Sequence, residues 1–149
     1  MNKTINILVA DDQRTNRLLV KSCLSSLVHK VRFTLAKNGL EAIKYLEKES
    51  FDLVVTDYQM PEEDGSAVLA CAKKAGIPAI LISADNVWEI ADEHGSPFIL
   101  KPFEDNELIE IASKALQRQS FTQTSEGKRQ PQLLRRVQQA LSSIIDRRN

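Results

Sequence analysis

The chain has 149 residues, enough for one domain with a proper core and at most a short appendage. Its formal net charge is zero but unevenly spread: the stretch through Gln117 holds 13 Lys or Arg against 18 Asp or Glu, while Arg118 to Asn149 holds 7 against 2, so an acidic body (−5) carries a basic tail (+5). No apolar run approaches transmembrane length, Met1 to Thr4 lacks the apolar core of a signal peptide, and Cys23 and Cys71 lie far apart inside helical patterns, which argues against a membrane protein or a disulfide scaffold and predicts a soluble chain of the reducing cytosol.

Ile5 to Ala10 (INILVA) is a short branched run that predicts a strand closing on Asp11 and Asp12. A helix is expected from Thr15 to Val28, capped by Thr15 or Asn16, with Leu18, Leu19, Ser22, Cys23, Ser26 and Leu27 recurring at helical spacing. Val31 to Ala36 alternates like a strand, and Asn38-Gly39 predicts a left-handed turn into a helix over Leu40 to Lys48, with Ala42, Ile43 and Leu46 on one face. In FDLVVTDYQMPEEDG, Phe51 to Gly65, an unbroken apolar run ends on Asp57 and meets Pro61 and Gly65, as a parallel strand buried on both faces does. Ser66 to Ala75 predicts a helix with Lys73 and Lys74 at its end and Gly76 as its stop. Ala79 to Ser83 is a fourth strand, Asn86 to Glu93 a helix of about two turns before His94-Gly95, Phe98 to Leu100 a fifth strand ending on Lys101-Pro102, and Asn106 to Leu116 a last amphipathic helix through Leu108, Ile109, Ile111, Ala112 and Leu116. The pattern is (βα)₅, an α/β fold with right-handed crossovers and a central parallel sheet covered by helices.

In such sheets ligands bind at the carboxyl ends of the strands. Here those ends deliver Asp11 and Asp12, Asp57, Ser83 and Lys101. Singly, an Asp pair is most often a helix cap, Ser a turn residue and Lys-Pro a surface feature. Jointly they define one edge. Three carboxylates crowded together repel and call for a cation, and oxygen ligands with no His or Cys nearby point to a hard ion, Mg²⁺ in particular. An ion of that kind also orients phosphoryl oxygens, which makes Asp57 a nucleophile, Lys101 a point charge for a phosphoryl oxygen and Ser83 a hydroxyl donor.

Carried by ILVADD, AKNGLEA, VVTDYQMPEEDG, ILISA and ILKPF, the stretch from Asn6 to about Leu116 resembles the receiver domain of two-component response regulators, of the chemotaxis-regulator shape. The resemblance implies a flavodoxin-like, doubly wound sheet of strand order 2-1-3-4-5. It also implies phosphorylation of Asp57 by a histidine kinase or histidine phosphotransfer protein, with Asp12 as direct Mg²⁺ ligand, Asp11 as a ligand through water and the Gln59 carbonyl completing the protein's share. Ser83 then resembles the switch hydroxyl, Phe98 the aromatic switch position where the family often carries Tyr, Lys101 the phosphate-sensing lysine, and Pro102 a residue after a cis bond. The chain departs from the family pattern in its short Ser83-to-Lys101 segment, which shortens the fourth helix, and in the charged Glu63. Thr15, Asn16 and Arg17 resemble receivers attached to hybrid kinases.

Two rival readings are a haloacid-dehalogenase-type phosphatase and a degenerate receiver that only binds protein. The first needs an Asp-x-Asp after the first strand, where this chain has adjacent aspartates; the second lacks an acceptor or metal ligand, and none is missing here. The resemblance bounds a receiver domain (1–117); beyond it, composition reads as a flexible linker (118–131) and apolar spacing as a basic amphipathic helix (132–149) with Leu133, Leu134, Val137, Ala140, Leu141, Ile144 and Ile145 on one face. That last segment is too short for a DNA-binding output domain and predicts docking on the receiver or self-association, and the whole can also be the receiver piece of a larger regulator or hybrid kinase.

Overall fold

The computed structural model describes residues 3–27 and 30–124, with side chains through residue 118. Its elements alternate as β1 (Ile5–Ala10), α1 (Arg14–Leu24), β2 (Val31–Ala36), α2 (Gly39–Lys48), β3 (Leu53–Asp57), α3 (Gly65–Lys74), β4 (Ala79–Ser83), α4 (Trp88–Glu93), β5 (Phe98–Leu100) and α5 (Asp105–Thr124). The five strands pair in parallel in the order β2-β1-β3-β4-β5, the doubly wound arrangement that the sequence predicts. Because the winding reverses between β1 and β3, the connections leaving their carboxyl ends diverge and open a crevice there.

Successive strand residues point to opposite faces, so each central strand supplies two cores. Ile5, Ile7 and Val9 of β1, Leu53 and Val55 of β3 and Ile80 and Ile82 of β4 pack with Cys23, Leu24, Leu108, Ala112 and Leu116 of α1 and α5. Leu8 and Ala10, Val54, and Ala79 and Leu81 pack with α2, α3 and α4 through Ala42, Leu46, Val68, Leu69, Ala72 and Ala91. Burial on both sides is why these strands show no polar alternation. β2, at an edge, is only partly buried.

Several boundaries and faces differ from the sequence pattern. α1 begins at Arg14 and ends at Leu24, and Gln13 occupies its cap without a side-chain hydrogen bond, in place of a Thr15 or Asn16 cap. Val28 lies outside the described residues. The buried face of α1 is Val20, Cys23 and Leu24, continued by Leu27, whereas Leu18 and Leu19 are 44% and 51% exposed. Both sets recur at helical spacing, and the sheet can cover only one of them. Asn38 is extended (φ −158°) and its side chain accepts from the Glu41 N–H at 2.7 Å, so it is an N-cap and not a left-handed turn. Gly39 serves close approach instead, since a Cβ there would collide with the Glu63 carbonyl. α4 starts at Trp88, not Asn86, and Cys71 is only half-buried. α5 continues beyond Leu116 to Thr124, so the first residues of the expected linker 118–131 are helical. The expected helix 132–149 lies outside the described residues. Among the described residues no helix is long and apolar enough to cross a membrane.

Gly65 fixes the acidic loop to the sheet. Its N–H donates to the Tyr58 carbonyl at 2.8 Å, and a Cβ would strike the Asp57 carbonyl and crowd Tyr58 Cα and Leu81. The neighbouring Asp64 caps α3, accepting from the Ser66 and Ala67 N–H groups at 2.9 and 3.2 Å. Gly65→Ala should therefore destabilise the fold by about 1–3 kcal/mol, the usual cost of overpacking against main chain. A lowered urea midpoint with unchanged slope is the expected reading; equal midpoints would show that the contact relaxes freely.

Candidate functional site

The strand register brings four carboxyl ends to one edge. Ala10 pairs with Thr56, Asp57 with Ile82 and Ser83 with Leu100. Ladder bonds then extend one step past the strands: the Asp11 N–H donates to the Ala36 carbonyl at 3.1 Å, Tyr58 N–H to Ile82 at 3.0 Å and Lys101 N–H to Ser83 at 2.8 Å. Main-chain pairing therefore positions Asp11, Asp57, Ser83 and Lys101 before any side chain acts.

Side-chain atoms of Asp11, Asp12 and Asp57 all come within 4.8 Å of one another. Lys101 Nζ lies between two of them, 3.2 Å from Asp57 Oδ1 and 3.4 Å from Asp11 Oδ2. Asp11 is buried, its Oδ1 accepts from the Gln13 N–H at 2.9 Å, and Arg17 Nη1 donates to its main-chain carbonyl at 2.7 Å. Asp12 is exposed. Burial and the neighbouring Asp11 carboxylate push the Asp57 carboxyl above the usual range, and the Lys101 ammonium and the Tyr58 N–H offset this only in part. A carboxylate still short of positive charge, beside two others, suits a divalent cation bound through oxygen, and Asp11, Asp12 and Asp57 are the residues that could hold it.

Two cavities meet at this edge. One, of about 570 Å³, is a polar cleft lined by Asp12, Asp57, Gln59, Asp64, Ser83 and Lys101, among others. The other, of about 400 Å³, is mostly apolar and runs between α1 and the start of α5 past Leu19, Val20, Val55 and Phe103, with Asp57 and Lys101 at its polar end. The exposed Leu19 is thus accounted for. Ser83 is buried and its Oγ accepts from the Asp85 N–H at 3.1 Å. Gln59 lines the cleft, and its side chain donates to Asp85 Oδ2 at 2.7 Å, tying the loop after β3 to the loop after β4. The Lys101–Pro102 peptide bond is cis. Phe98 is half-buried, paired with Leu81 and packed on the α2–α4 side, and lines neither cavity.

Asp85 is the site residue that sequence reasoning missed. An Asp two residues after a strand reads as an ordinary turn former, and only the fold shows that both the Ser83 hydroxyl and the Gln59 amide meet it.

Comparison with known proteins agrees with this geometry. The response regulator receiver domain model matches residues 7–113. Chemotaxis protein CheY-3 of Vibrio cholerae is 33% identical over 126 residues, covering 79% of this chain and 96% of that protein. The autoinducer 2 sensor kinase/phosphatase LuxQ of Vibrio parahaemolyticus is 30% identical over 116 residues, covering 73% of this chain, which spans only 13% of that protein and about a quarter of other long curated relatives. Among solved structures, the receiver domain of sensor histidine kinase PA1611 from Pseudomonas aeruginosa, which has a magnesium ion in its active-site cleft, superposes with a TM-score of 0.67 at 24% identity, covering 76% of this chain and 98% of that one. With a family model spanning most of its length and the matching fold, the chain belongs to the response regulator receiver domain family of two-component signalling.

Proposed function

We propose that the chain accepts a phosphoryl group on Asp57 from a phosphohistidine of a histidine kinase or histidine phosphotransfer protein and changes its Ser83–Asp85 segment in response. The observation that carries this reading is the Lys101 ammonium seated between Asp57 and Asp11, within a cluster of three carboxylates that has room for a hard cation. A chain that only bound protein would have no need to crowd these charges. The magnesium ion in the active-site cleft of the PA1611 receiver domain supports Mg²⁺ as that cation.

A carboxylate oxygen of Asp57 would form the new O–P bond while the donor's N–P bond breaks and its electron pair returns to the imidazole. Asp12, exposed, would hold Mg²⁺ directly, and Asp11, whose oxygens accept from the Gln13 N–H and from Lys101, would hold it through water. The main-chain carbonyl of Gln59, which lines the cleft, would complete the set. When bound, Mg²⁺ supplies charge neutralisation and orientation of phosphoryl oxygens. Lys101 would exchange its contact with Asp57 Oδ1 for a phosphoryl oxygen, keeping β5 tied to the site. A Ser83 hydroxyl drawn to another phosphoryl oxygen would release the Asp85 N–H, and with it the Gln59 link, at the start of the segment leading into α4. Phe98, packed beside Leu81, would then occupy space that Ser83 vacates. The free thiols of Cys23 and Cys71 support a reducing, cytosolic setting for this work.

Incubated with a small acyl phosphate and Mg²⁺, the chain should gain the mass of one phosphoryl group; Asp57→Asn should not, and labelling of that variant at the wild-type rate would refute the assignment. Trp88, the sole Trp, is 52% exposed and five residues past Ser83, so its fluorescence should respond to beryllofluoride, a phosphate mimic. Ser83→Ala should weaken that response while sparing Mg²⁺ affinity, and identical titrations would place the switch elsewhere.

The raised Asp57 carboxyl also sets a pH signature. Its ionisation opposes folding, so the penalty is absent below the ordinary value of 3.8, grows as pH rises through the elevated folded value, and is complete above it. In the presence of a chelator, Asp57→Asn should be more stable than wild type at neutral pH, with the gap closing on acidification towards 3.8, and millimolar Mg²⁺ should narrow it by stabilising the wild type alone. A gap independent of pH would contradict this origin.

A further inference from the structure

We propose that the basic C-terminal segment of this chain, residues 131–148, docks on the acidic face made by α4, β5 and the first turns of α5 of the same molecule, with Trp88 and Leu100 as apolar anchors.

The body is strongly polarised. Residues 3–48 hold nine Lys or Arg and four Asp or Glu, whereas residues 84–110 hold eight Asp or Glu and one Lys, a local balance of −7. That one lysine, Lys101, is engaged by Asp57 and Asp11. Glu89, Asp92 and Glu93 on α4 and Glu107 on α5 are exposed. α4 packs on β5, whose outer edge is unpaired, and α5 follows it directly. Glu107 lies one turn before Ile111, which with Lys114 faces the α4–β5 connection across a separate cavity.

Five large hydrophobic side chains are exposed among the described residues: Leu18, Leu19, Leu40, Trp88 and Leu100. The first two share α1 with Arg14, Arg17 and Lys21, and Leu40 shares α2 with Lys44 and Lys48. Trp88 and Leu100 belong to the 84–110 stretch, whose balance is −7. A partner for this face needs an apolar stripe flanked by positive charge. The chain carries one: Leu133, Leu134, Val137, Leu141, Ile144 and Ile145 recur at helical spacing, and residues 125–149 hold six Lys or Arg against two acidic residues.

The reach is sufficient. α5 ends at Thr124, and the six residues 125–130 can span roughly 20 Å when extended. As a helix, residues 131–145 would cover about 22 Å, against about 30 Å for α5, so a segment turning back along α5 arrives beside α4. Tethering holds it at an effective concentration on the order of 1 mM, which favours its own face over that of a second copy at micromolar protein. α4 begins five residues past Ser83, so on the phosphoacceptor reading a change at Ser83 would loosen the segment; the docking itself does not rest on that reading.

Trp88 fluorescence of the full chain tests this. In wild type at low ionic strength Trp88 should emit to the blue of, and resist acrylamide better than, the double variants Val137→Asp/Leu141→Asp and Glu93→Lys/Glu107→Lys. High salt should move the wild type towards the variants, because the charge pairing is screened. Sedimentation should show a monomer throughout. Equal emission and quenching in wild type and variants at low salt would overturn the proposal. Protection that rises with protein concentration alongside a dimer would overturn its intramolecular form and assign the face to the tail of a second copy. Because no phosphoryl transfer is read, failure here leaves the Asp57 assignment untouched.

Discussion

The site depends on one cation held between two carboxylates. Lys101 Nζ reaches Asp57 on the central strand and Asp11 at the end of β1 from the end of β5, joining residues 44 and 90 positions apart in the chain. Without it, Asp57 would face Asp11 with only a backbone N–H for relief in a partly desolvated crevice. With it, the edge is tolerable but still under-neutralised, as the raised Asp57 carboxyl records. Structural stability alone would be better served by neutral residues at these positions. On the phosphoacceptor reading, the imbalance would give a divalent ion and a phosphoryl group something to bind, and the electrostatic cost of the site would serve its function.

Most of the fold was legible because its signals are periodic. β1, β3 and β4 are short, mostly apolar runs with no polar alternation, as strands covered on both faces are, and each runs out at a polar residue: Asp11 follows β1, while Asp57 and Ser83 are the last residues of β3 and β4. That Asp11, Asp57, Ser83 and Lys101 reach one edge was legible for the same reason, since each lies at or just past the end of its strand. α1 was read less well. Leu18 and Leu19 made as good a helical stripe as Val20, Cys23 and Leu24, and periodicity alone cannot say which stripe meets the sheet. The C-terminal limit of α5 was missed because Gln and Ser carry no apolar periodicity, although they do not prevent a helix from continuing.

Contacts between loops were the other thing that the sequence withheld. Asn38-Gly39 looks like a turn signal, yet Asn38 caps α2 in an extended conformation and Gly39 makes room for the Glu63 carbonyl. Gly65 does the same for the Asp57 carbonyl. Both glycines are explained by neighbours remote in sequence, and so is the pairing of Gln59 with Asp85. Together they show how the acidic loop is held: from one side by α2, from below by the end of β3, and across the cleft by the loop after β4.

β5 has only three residues, and Lys101 follows directly from it. It is a sheet edge, paired on one side through Leu81, Ile82 and Ser83, and it comes late in the order of synthesis. A nascent chain contains Asp11 and Asp57 well before residue 101, the source of the ammonium that lies between them, leaves the ribosome. Neutralisation of the Asp11–Asp57 pair therefore waits on the last strand of the sheet, and a chain cut short before residue 101 lacks the ammonium that joins them.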